Sequence, residues 1–543
     1  MEEKMVILGV AKSQLTQRAT SISKLLADIT PIEWLSLIDP SNVIVGTQHN
    51  DTLSAKAEGD IVFGLAGNDE LSSTFNRTAL IGGSGSDKLT TKITVPLQGA
   101  QPVHGLAIQS GGTGNDTLCA VVTLQGGDVT VQDRDLTAKV LLDGGHGNDV
   151  ITAKANVALP VFANVSVTTR VLGGSGNDTI KAVADARGAL DGNFAKNSVD
   201  GGSGNDCITA RAQTEFNGFT AKAINVLCGG NGNDVLNASA KGVSNDTELV
   251  SNTLHGGRGD DVLRAFNLTD SNSGAPVGIN QLWGDKGNDI LKATHFTDGE
   301  NTITDVTNRL DGGKGNDCLK AVSTAHGGFV EALNQLKGGN GKDVLTACLD
   351  VDAHGGRSIP DVNLYDVSNV LDGGSGNDHL KAVLSVKAFP FVTDDSRAEN
   401  CLKGGSGNDT LLATVASGSV GTSFLNGGSG NDRLTVFGGS ENVLKGGDGK
   451  DTLTGGIGDD TLIGGCGADR FVFVLQNGHD DMADFQKGKD VIDLTALAAI
   501  NIHDFADLDI ESSCGNAVIH FDADNDLTIA GVNNLCASDF WFA

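Results

Sequence analysis

Aromatic and basic residues are scarce in this sequence. Phe, Trp and Tyr make up 4% of its 543 residues, and 38 Lys and Arg stand against 68 Asp and Glu, which gives a formal net charge of -30. So large an excess of negative charge repels phosphate backbones, and we expect no nucleic-acid partner. It also opposes compaction unless a cation binds. Few aromatics and a high charge are typical of disorder, but 39% hydrophobic residues at regular spacing favour a folded chain.

Several kinds of segment are lacking as well. No apolar run approaches the length of a transmembrane helix, so we predict no membrane span. Residues 1–10 show no basic region followed by an apolar stretch and a cleavage site, so we expect any export to proceed without an N-terminal signal peptide. The nine Cys are an odd number and cannot all pair internally. We expect most of them to be small, buried or half-buried hydrophobes.

Catalytic motifs are absent too. No His-Glu-x-x-His is present, which argues against a zinc protease of that type. Near-matches to Gly-x-Ser-x-Gly, such as residues 417–421, have no helical pattern behind them, although a nucleophile elbow requires one. The 11 His are scattered without metal-ligand spacing. The sequence therefore predicts no catalytic residues.

Internal repetition is the strongest positive signal. A turn of the type Gly-Gly-x-Gly-Asn-Asp recurs along the chain. The spacing between the last Asp of successive turns begins at 18, settles near 28 and falls to 9 at the end. These aspartates are Asp51, Asp69, Asp87, Asp116, Asp149, Asp178, Asp206, Asp234, Asp261, Asp289, Asp317, Asp343, Asp378, Asp409, Asp432, Asp451, Asp460 and Asp469.

The spacings indicate the fold. A nine-residue unit is one turn plus one short strand, so 18 residues make a coil with two Gly-rich turns. A 28-residue coil has one such turn and a longer, variable connection on the other edge. We predict an all-β parallel β-solenoid (a β-roll or β-helix). Its expected parts are an N-terminal helical cap (1–40), 18-residue coils (41–90), 28-residue coils (91–437), a nonapeptide roll with a closing region (438–495) and a C-terminal β cap (496–543).

Side-chain parity supports the coil. Apolar residues fall at the second and fourth positions after each Asp, as in Ile208 and Ala210, and period two places them on one face. Before each turn an Asn shares the parity of the inward Leu. Stacked copies of this Asn can satisfy one another as an interior ladder, or each can favour turn entry through bonds to its own backbone. The column is Asn197, Asn225, Asn252, Asn280, Asn308, Asn334, Asn369, Asn400 and Asn442.

The first 40 residues follow a different pattern. Residues 13–37 carry apolar residues at mixed helical spacing, interrupted by Pro31. Because a solenoid needs its open end covered, we predict a helical cap; the alternative is a helix that binds a partner. The apolar positions are Leu15, Ile22, Leu25, Leu26, Ile32 and Leu35.

The chemistry of the turns points to Ca²⁺. Glycines permit positive φ, so that carbonyl groups can converge, and Asp supplies an anionic oxygen. Ca²⁺ takes six to eight oxygens at roughly 2.3–2.6 Å. One turn is too small to provide them, so we predict ions between successive coils, along one edge in the centre and along both edges near the ends. Besides the aspartates, the predicted ligand-bearing turns begin at Gly82, Gly111, Gly144, Gly173, Gly201, Gly229, Gly256, Gly312, Gly338, Gly373, Gly404, Gly427, Gly446, Gly455 and Gly464.

Two turns depart from the pattern. In residues 283–285, Trp-Gly-Asp replaces the second Gly, and in residues 341–343 a Lys stands beside the Asp. We expect weaker sites at these two turns.

The repeat Gly-Gly-x-Gly-x-Asp-x-apolar-x resembles that of the RTX, or haemolysin-type, calcium-binding family. The resemblance extends over roughly residues 44–470. Residues 464–494 are similar to the closing region of secreted RTX proteins, and residues 535–543 to their uncleaved C-terminal secretion signal. The resemblance implies a parallel β-roll that binds multiple Ca²⁺ ions. It also implies type I secretion machinery as a partner and an extracellular or cell-surface location.

Two function classes remain open. The first is a non-catalytic structural, adhesion or matrix protein, whose variable loops contact an extracellular polysaccharide or a cell surface. The second is a polysaccharide-acting enzyme of the epimerase or lyase type, in which loop carboxylates act as acid and base. The candidate carboxylates are Asp133, Asp135, Asp394 and Asp395.

Overall fold

The computed structural model of the protein describes residues 42–97, 102–125, 134–161, 163–189, 192–215, 220–244, 247–271, 275–298, 303–327, 329–353, 364–388 and 396–543. The predicted helical cap at residues 1–40 lies outside the described residues. The chain divides into two compact units, an N-terminal unit (Met1–Gly274) and a C-terminal unit (Ala275–Ala543).

The described part of the N-terminal unit contains 18 strands. The odd-numbered strands pair in parallel as a first sheet, and the even-numbered strands pair in parallel as a second sheet. The strands are β1 (Val43–Val45), β2 (Thr52–Ser54), β3 (Ile61–Ala66), β4 (Glu70–Ser73), β5 (Thr78–Ser84), β6 (Lys88–Pro96), β7 (Val103–Thr113), β8 (Thr117–Gln125), β9 (Arg134–His146), β10 (Val150–Val161), β11 (Ala163–Ser175), β12 (Thr179–Ala189), β13 (Gly192–Ser203), β14 (Cys207–Glu215), β15 (Thr220–Asn231), β16 (Val235–Ser244), β17 (Thr247–Arg258) and β18 (Val262–Ser271).

The C-terminal unit repeats the arrangement. Its odd strands up to β35 form a first parallel sheet that continues into β39, and its even strands form a second parallel sheet that ends in β40. The strands are β19 (Ala275–Lys286), β20 (Ile290–Asp298), β21 (Ile303–Lys314), β22 (Cys318–His326), β23 (Phe329–Asn340), β24 (Val344–Ala353), β25 (Leu364–Ser375), β26 (His379–Ala388), β27 (Arg397–Ser406), β28 (Thr410–Val415), β29 (Thr422–Ser429), β30 (Arg433–Phe437), β31 (Asn442–Gly449), β32 (Thr452–Thr454), β33 (Thr461–Gly467), β34 (Arg470–Val472), β35 (His479–Met482), β36 (Val491–Asp493), β37 (Asp509–Ser513), β38 (Asn516–His520), β39 (Asp526–Ile529) and β40 (Phe540–Trp541).

Each coil consists of one strand from each sheet, joined by a Gly-rich turn. Register follows the repeat: Val43 lies beside Ile61 in the 18-residue coils, and Asn197 lies beside Asn225 in the 28-residue coils. The predicted parallel β-solenoid is confirmed in both units. Among the described residues the only helices are three short 3-10 segments, at Thr495–Ile500, Phe505–Asp507 and Ala537–Asp539. None of these has the length and apolar character needed to cross a bilayer.

The interior follows the predicted parity. Ile208 and Ala210 point inward and are buried, as are their counterparts Leu236 and Ala238 on the next coil. The buried column of aliphatic side chains supplies the hydrophobic stabilisation of a fold that has few aromatics.

The interior Asn ladder is also present. Asn197 donates from Nδ2 to Oδ1 of Asn225 at 2.8 Å, and Asn225 donates in the same way to Asn252. In the C-terminal unit Asn334 donates to Asn369 at 3.0 Å, and Asn369 donates to Asn400. The amide groups of these residues are satisfied at 0% exposure, so the ladder explains their positions in the column. Asn442 differs, since it donates to the carbonyl oxygen of Gly438 and to Asp460.

The cysteines depart from expectation. None of the nine is buried: Cys119, Cys228, Cys348 and Cys401 are half-buried and the other five are exposed. Cys207 and Cys318 directly follow the turn Asp and are exposed. Because side chains alternate along a strand, they face outward and the next residue faces inward.

The C-terminal end closes on aromatic residues. Strands β37, β38 and β39 form an antiparallel meander. Phe471 packs against Phe485, and Phe540 packs against Phe505, with ring centroids 6.4 and 5.6 Å apart. The Arg470 guanidinium lies 4.6 Å from the centre of the Trp541 ring. A group of aromatic residues therefore packs where the stack ends.

Candidate calcium-binding turns

Except for the half-buried Asp51, the predicted aspartates are buried, and all but Asp460 form a column along the Gly-rich turns of each unit. The backbone N–H of each Asp donates to Oδ1 of the Asp in the following turn: Asp149 to Asp178, and Asp178 to Asp206, both at 2.8 Å. The C-terminal unit repeats the bond from Asp343 to Asp378. A glycine-rich turn allows this because the carboxylate can reach across to the neighbouring backbone without a side chain in the way.

The other carboxylate oxygen, Oδ2, has no hydrogen-bond partner in a long series of these aspartates. Each of these atoms is buried, although a buried carboxylate oxygen ordinarily finds a donor or a cation. The series within the described residues is Asp69, Asp149, Asp178, Asp206, Asp234, Asp343, Asp378, Asp409, Asp432, Asp451, Asp460 and Asp469.

Carbonyl oxygens converge near these Oδ2 atoms. A methyl group built on Gly173 would lie 2.5 Å from Oδ2 of Asp178 and 2.5 Å from the carbonyl oxygen of Gly201 in the next turn. On Gly373 it would lie 2.5 Å from Oδ2 of Asp378 and 2.7 Å from the oxygen of Gly404. Only glycine leaves this space open, so the first Gly of the turn is required by the oxygens around it.

The second and fourth glycines turn further carbonyls toward the next coil. Gly174 and Gly176 have φ of 113° and 116°, and a methyl group on either would overlap the carbonyl oxygen of Gly145 or Gly147 in the preceding turn. Carbonyl oxygens of neighbouring turns and an unpaired carboxylate oxygen therefore lie close to the turn glycines. Ca²⁺ prefers this donor set of hard oxygens.

The predicted glycines occupy these places. Carbonyl oxygens face the preceding turn at Gly82, Gly111, Gly144, Gly173, Gly201 and Gly229 in the N-terminal unit, and at Gly312, Gly373, Gly404, Gly427, Gly446 and Gly464 in the C-terminal unit. Gly256, Gly338 and Gly455 lie against Oδ2 of their own turn's Asp.

An outer row of Asn side chains, whose role the sequence did not reveal, joins the turns at the position before the Asp. The N–H of Asn177 donates to Oδ1 of Asn148 at 2.6 Å, and the N–H of Asn205 donates to Asn177. The N–H of Lys342 also donates to Oδ1 of Asn316, because this bond requires only the backbone of the donor residue. The frequent Asn-Asp pair in the turns is the sequence feature from which this row could have been predicted.

The irregular turn at residues 283–285 keeps a carboxylate oxygen and a carbonyl oxygen close to its glycine. Gly284 takes the place of a first Gly, since a methyl group on it would lie 2.6 Å from the carbonyl oxygen of Gly312. Asp285 then occupies the second position, with φ of 72°, in a region that favours glycine. The substitution therefore strains the backbone instead of removing the turn.

Asp460 lies on a different edge from Asp451 and Asp469. It accepts from Nδ2 of Asn442 at 2.7 Å and donates its N–H to Asp480 at 3.0 Å, whereas Asp451 donates to Asp469. The spacing of nine residues therefore alternates between two edges at this end.

Three acidic residues extend the turns beyond the predicted set. Asp480 follows Asp460, and Asp490 accepts from the N–H of Asp469 at 3.0 Å. Asp484 accepts from the N–H groups of Gly464 and Gly465. The sequence obscured them because the spacing lengthens to 20 and 21 residues, although the Gly-Lys-Asp of residues 488–490 resembles an incomplete turn.

Burial raises the pKa of the column's carboxylates when no cation is bound. It raises the pKa of Asp149 to about 7, reinforced by the charges of Asp116, Asp178 and Asp143 and opposed by the N–H of Asp116. The pKa of Asp206 is likewise raised to about 7 and that of Asp378 to about 6. Repulsion along the column is thus a second reason why these sites call for a divalent cation.

The residues present fit Ca²⁺ better than a softer metal. Within the described chain no three His, Cys, Asp or Glu side chains come together as a metal cluster. A cation between two turns would therefore be held largely by backbone carbonyls with one or two carboxylates, which suits Ca²⁺ and not Zn²⁺.

Of the four carboxylates of the enzyme hypothesis, Asp135 is the one that lies among the described residues. Asp135 lies in a groove of about 430 Å³ with His104 and Lys222, and its Oδ1 accepts from Asn164 at 3.2 Å. Asp133, Asp394 and Asp395 lie outside the described residues.

Comparison with known families agrees with this geometry. A model of the RTX calcium-binding nonapeptide repeat matches residues 42–74, 189–213 and 251–267. A model of the peptidase M10 serralysin C-terminal region matches residues 279–541, just under half of the chain.

Comparison with individual proteins adds little. No curated protein gives a significant match. Among solved structures, the extracellular lipase LipA from Serratia marcescens aligns at 18% identity and a TM-score of 0.16, over 44% of this chain and 40% of the lipase chain. It is the buried Asp column, the parallel coils and the two family models that agree with one another. The chain carries segments that match RTX calcium-binding repeats and a C-terminal region that matches the serralysin type.

Proposed function

We propose that this is a secreted protein that folds on Ca²⁺ outside the cell and serves as a non-catalytic structural, adhesion or matrix component. The observation that carries the proposal is the series of buried Oδ2 atoms, most of which lie beside a carbonyl oxygen of the next turn. Burying an uncompensated carboxylate costs several kcal/mol. A bound Ca²⁺ removes that cost, and its binding free energy becomes folding free energy.

The same physics supports export in an unfolded state. Extracellular Ca²⁺ modules bind with dissociation constants of roughly 10⁻⁴–10⁻³ M, so the turns would stay empty in a cytosol kept low in Ca²⁺. The serralysin-type C-terminal region supports a type I route.

Circular dichroism of the full chain during a Ca²⁺ titration tests the proposal. We expect a cooperative gain of β-signal below about 10 mM Ca²⁺, an excess over the affinity range above, and reversal by a chelator. Mg²⁺ serves as the control, because it demands a tighter octahedral geometry. A full β-signal in chelator at neutral pH would contradict calcium-dependent folding.

A basic row on the N-terminal unit supports adhesion to an acidic polysaccharide. Lys92, Lys154 and Arg211 point outward from the second sheet and are exposed. They share one register row in which Val121 and Val183 alternate with them. Because neighbouring strands are about 4.8 Å apart, the charges recur about every 9.6 Å along the stack.

The row is available to a ligand. Within the described residues no acidic side chain pairs with Lys92, Lys154 or Lys181, whereas Lys88 pairs with Glu70 on the same sheet at 2.7 Å. Thr152 and Thr209 flank Lys181 in the next row and offer hydroxyl groups. Cations that alternate with hydroxyl groups fit a carboxylated sugar polymer. They suit a nucleic acid less well, because nucleobases would find no aromatic side chains here on which to stack.

Co-sedimentation of the Ca²⁺-folded chain with alginate tests this surface. The variant K154E/R211E should lose at least tenfold in affinity, whereas K139E/K196E, with the same charge change on the first sheet, should bind within twofold of the unchanged protein. Dextran, a neutral polymer, should not bind. Equal losses in the two variants, or tighter binding to DNA than to alginate, would contradict the assignment.

The enzyme alternative remains a sequence-based hypothesis. Activity assays on alginate and pectin address it directly, and release of unsaturated or epimerised product would replace the non-catalytic assignment.

A further inference from the structure

One region of the first sheet in the N-terminal unit is apolar on both faces. Ile61, Phe63, Ile81, Ile108 and Leu141 form one hydrophobic cluster with Ala79 and Leu106. Val62 and Leu80, which alternate with them along β3 and β5, are fully buried toward the interior. The members of the cluster therefore face outward, and we call this surface the outer apolar face.

The outer apolar face is continuous across several strands. Ile61 lies beside Ala79, Ala79 beside Ile108, and Ile108 beside Leu141 in one register row. Phe63 lies beside Ile81 in a second row. Val43 and Val45 of β1 extend both rows at their N-terminal end. Four strand spacings, from β1 to β9, give the face a width of about 19 Å.

Outward residues of a solvated sheet are not buried, but these are. Phe63 is 2% exposed, Leu141 4% and Ile81 7%. Farther along the same row the apolar residues give way to Arg170 and Ser198. The sequence reflects this difference between the first coils and the later ones. Unbroken apolar runs such as residues 61–63 are typical of strands covered on both faces, whereas in β13 buried and partly exposed residues alternate.

We propose that the outer apolar face is the docking site of the chain's own N-terminal segment, residues 13–37. The described chain begins at Asn42, next to β1, so the segment joins the solenoid at the edge of this face. A helix over residues 13–30, before Pro31, would be about 27 Å long, more than the width of the face. Its apolar residues, among them Leu15, Ile22, Leu25 and Leu26, supply the complementary surface.

This placement differs from a cap over the open end of the coils. An end cap would cover the interior column, in which Val62 and Leu80 lie, and would leave Phe63 and Ile81 in water. Docking on the outer face instead explains why apolar outward residues occur in the first coils and stop at β11. It is independent of the polysaccharide-binding surface, which lies on the second sheet.

Cross-linking of the Ca²⁺-folded full chain tests the placement. Lys12 and Lys24 should cross-link to Lys139, which lies on the first sheet beside the apolar face. They should not cross-link to Lys92 or Lys154 on the second sheet. A mixture of isotope-labelled and unlabelled protein distinguishes links within one chain from links between two. Links to Lys92 or Lys154, or links only between chains, would overturn the proposal.

A dye-binding measurement provides the matched variants. In the double variant L25D/L26D the segment should leave the face, and fluorescence of an apolar dye should rise several-fold while the Ca²⁺-dependent β-signal is kept. The control S23D, in the same segment, should leave dye binding unchanged. No rise in L25D/L26D, or an equal rise in S23D, would show that another part of the molecule covers the face.

Discussion

At the scale of single residues, the two carboxylate oxygens of the turn Asp have different roles: Oδ1 accepts a hydrogen bond, and Oδ2 is left for a cation. Oδ1 of Asp206 accepts the N–H of Asp178 at 2.8 Å, which fixes the height of one turn above the other. Oδ2 is buried beside Gly201 without a hydrogen-bond partner. Replacing the carboxylate by an amide keeps the shape of the side chain and its hydrogen bond through Oδ1, and it removes the negative charge needed to bind a cation.

We therefore expect Asp206→Asn to raise the Ca²⁺ concentration at the folding midpoint at least tenfold, since even the outer partners of metal ligands are worth 10- to 100-fold in affinity. Circular dichroism during Ca²⁺ titration measures it. Glu215→Gln, an exposed acid on the same coil, is the control and should shift the midpoint by less than twofold. Equal shifts would show that net charge, and not a site, controls folding.

The turn glycines make a second residue-scale prediction. Gly174→Ala combines a positive φ with overlap against the carbonyl of Gly145, whereas Gly418, at φ of 78°, has nothing within 4 Å of the added methyl group. We expect Gly174→Ala to lower the free energy of unfolding by about 2–5 kcal/mol, the sum of strain and overpacking. Gly418→Ala should cost about 1–2 kcal/mol for strain alone. Urea unfolding in saturating Ca²⁺ compares them, and similar costs would contradict the close stacking of the turns.

At the scale of elements, the interior Asn ladder and the outer Asn row hold successive coils at one spacing. The ladder lies among aliphatic residues, where a hydrogen bond cannot be exchanged for one to water. Removing one rung therefore leaves two buried groups unsatisfied, one on each neighbour.

Asn225→Leu should destabilise the Ca²⁺-bound protein by about 2–5 kcal/mol, because Nδ2 of Asn197 and Oδ1 of Asn252 each lose a partner worth about 1–3 kcal/mol. Asn237→Leu, which changes a half-buried outward Asn on β16, should cost under about 1 kcal/mol. Urea midpoints give both values. A neutral Asn225→Leu would mean that the coils close around the missing rung.

Repetition and parity made most of each element predictable from sequence. The positions two and four after each Asp, such as Ile208 and Ala210, face inward as expected, because a strand's period of two does not depend on its partners. The outer apolar face was not predicted, since it depends on what covers the sheet, although the unbroken run at residues 61–63 signalled it. Asp480 and Asp490 were missed because the closing loops lengthen the spacing, and their function depends on contact rather than on period.

At the scale of the whole molecule, the unequal placement of charge matters most. Acidic groups are concentrated in the turns, where they repel one another, while the cations Lys92, Lys154 and Arg211 lie on the second sheet of the N-terminal unit. A net charge of -30 is therefore compatible with a compact chain only where protons or cations occupy the turns.

Lowering the pH should consequently stabilise the folded chain without metal, and it should weaken the binding of Ca²⁺. The pKa of Asp149, Asp206 and Asp451 is raised to about 7 by burial in the folded, metal-free form, against roughly 3.9 in an unfolded chain. The folded form therefore binds more protons, and its stability is greatest below about pH 4 and falls as pH rises through 7.

In chelator we expect more β-signal at pH 5 than at pH 7.5, whereas the Ca²⁺ concentration at the midpoint should be higher at pH 5, because the ion requires the ionised carboxylates. Circular dichroism at both pH values measures both trends. A β-signal in chelator that increases with pH would contradict the burial of these groups.

The bonds between turn aspartates all run in one sense. In the C-terminal unit Asp432 donates its N–H to Asp451, Asp451 to Asp469, and Asp469 to Asp490 of the closing segment. A stack built this way is polar, like a filament with unlike ends. On its N-terminal side an incoming turn meets an acceptor already in place, and on its C-terminal side the last N–H must be given one. Asp490 supplies it, so the closing segment is the template against which the last repeat is completed.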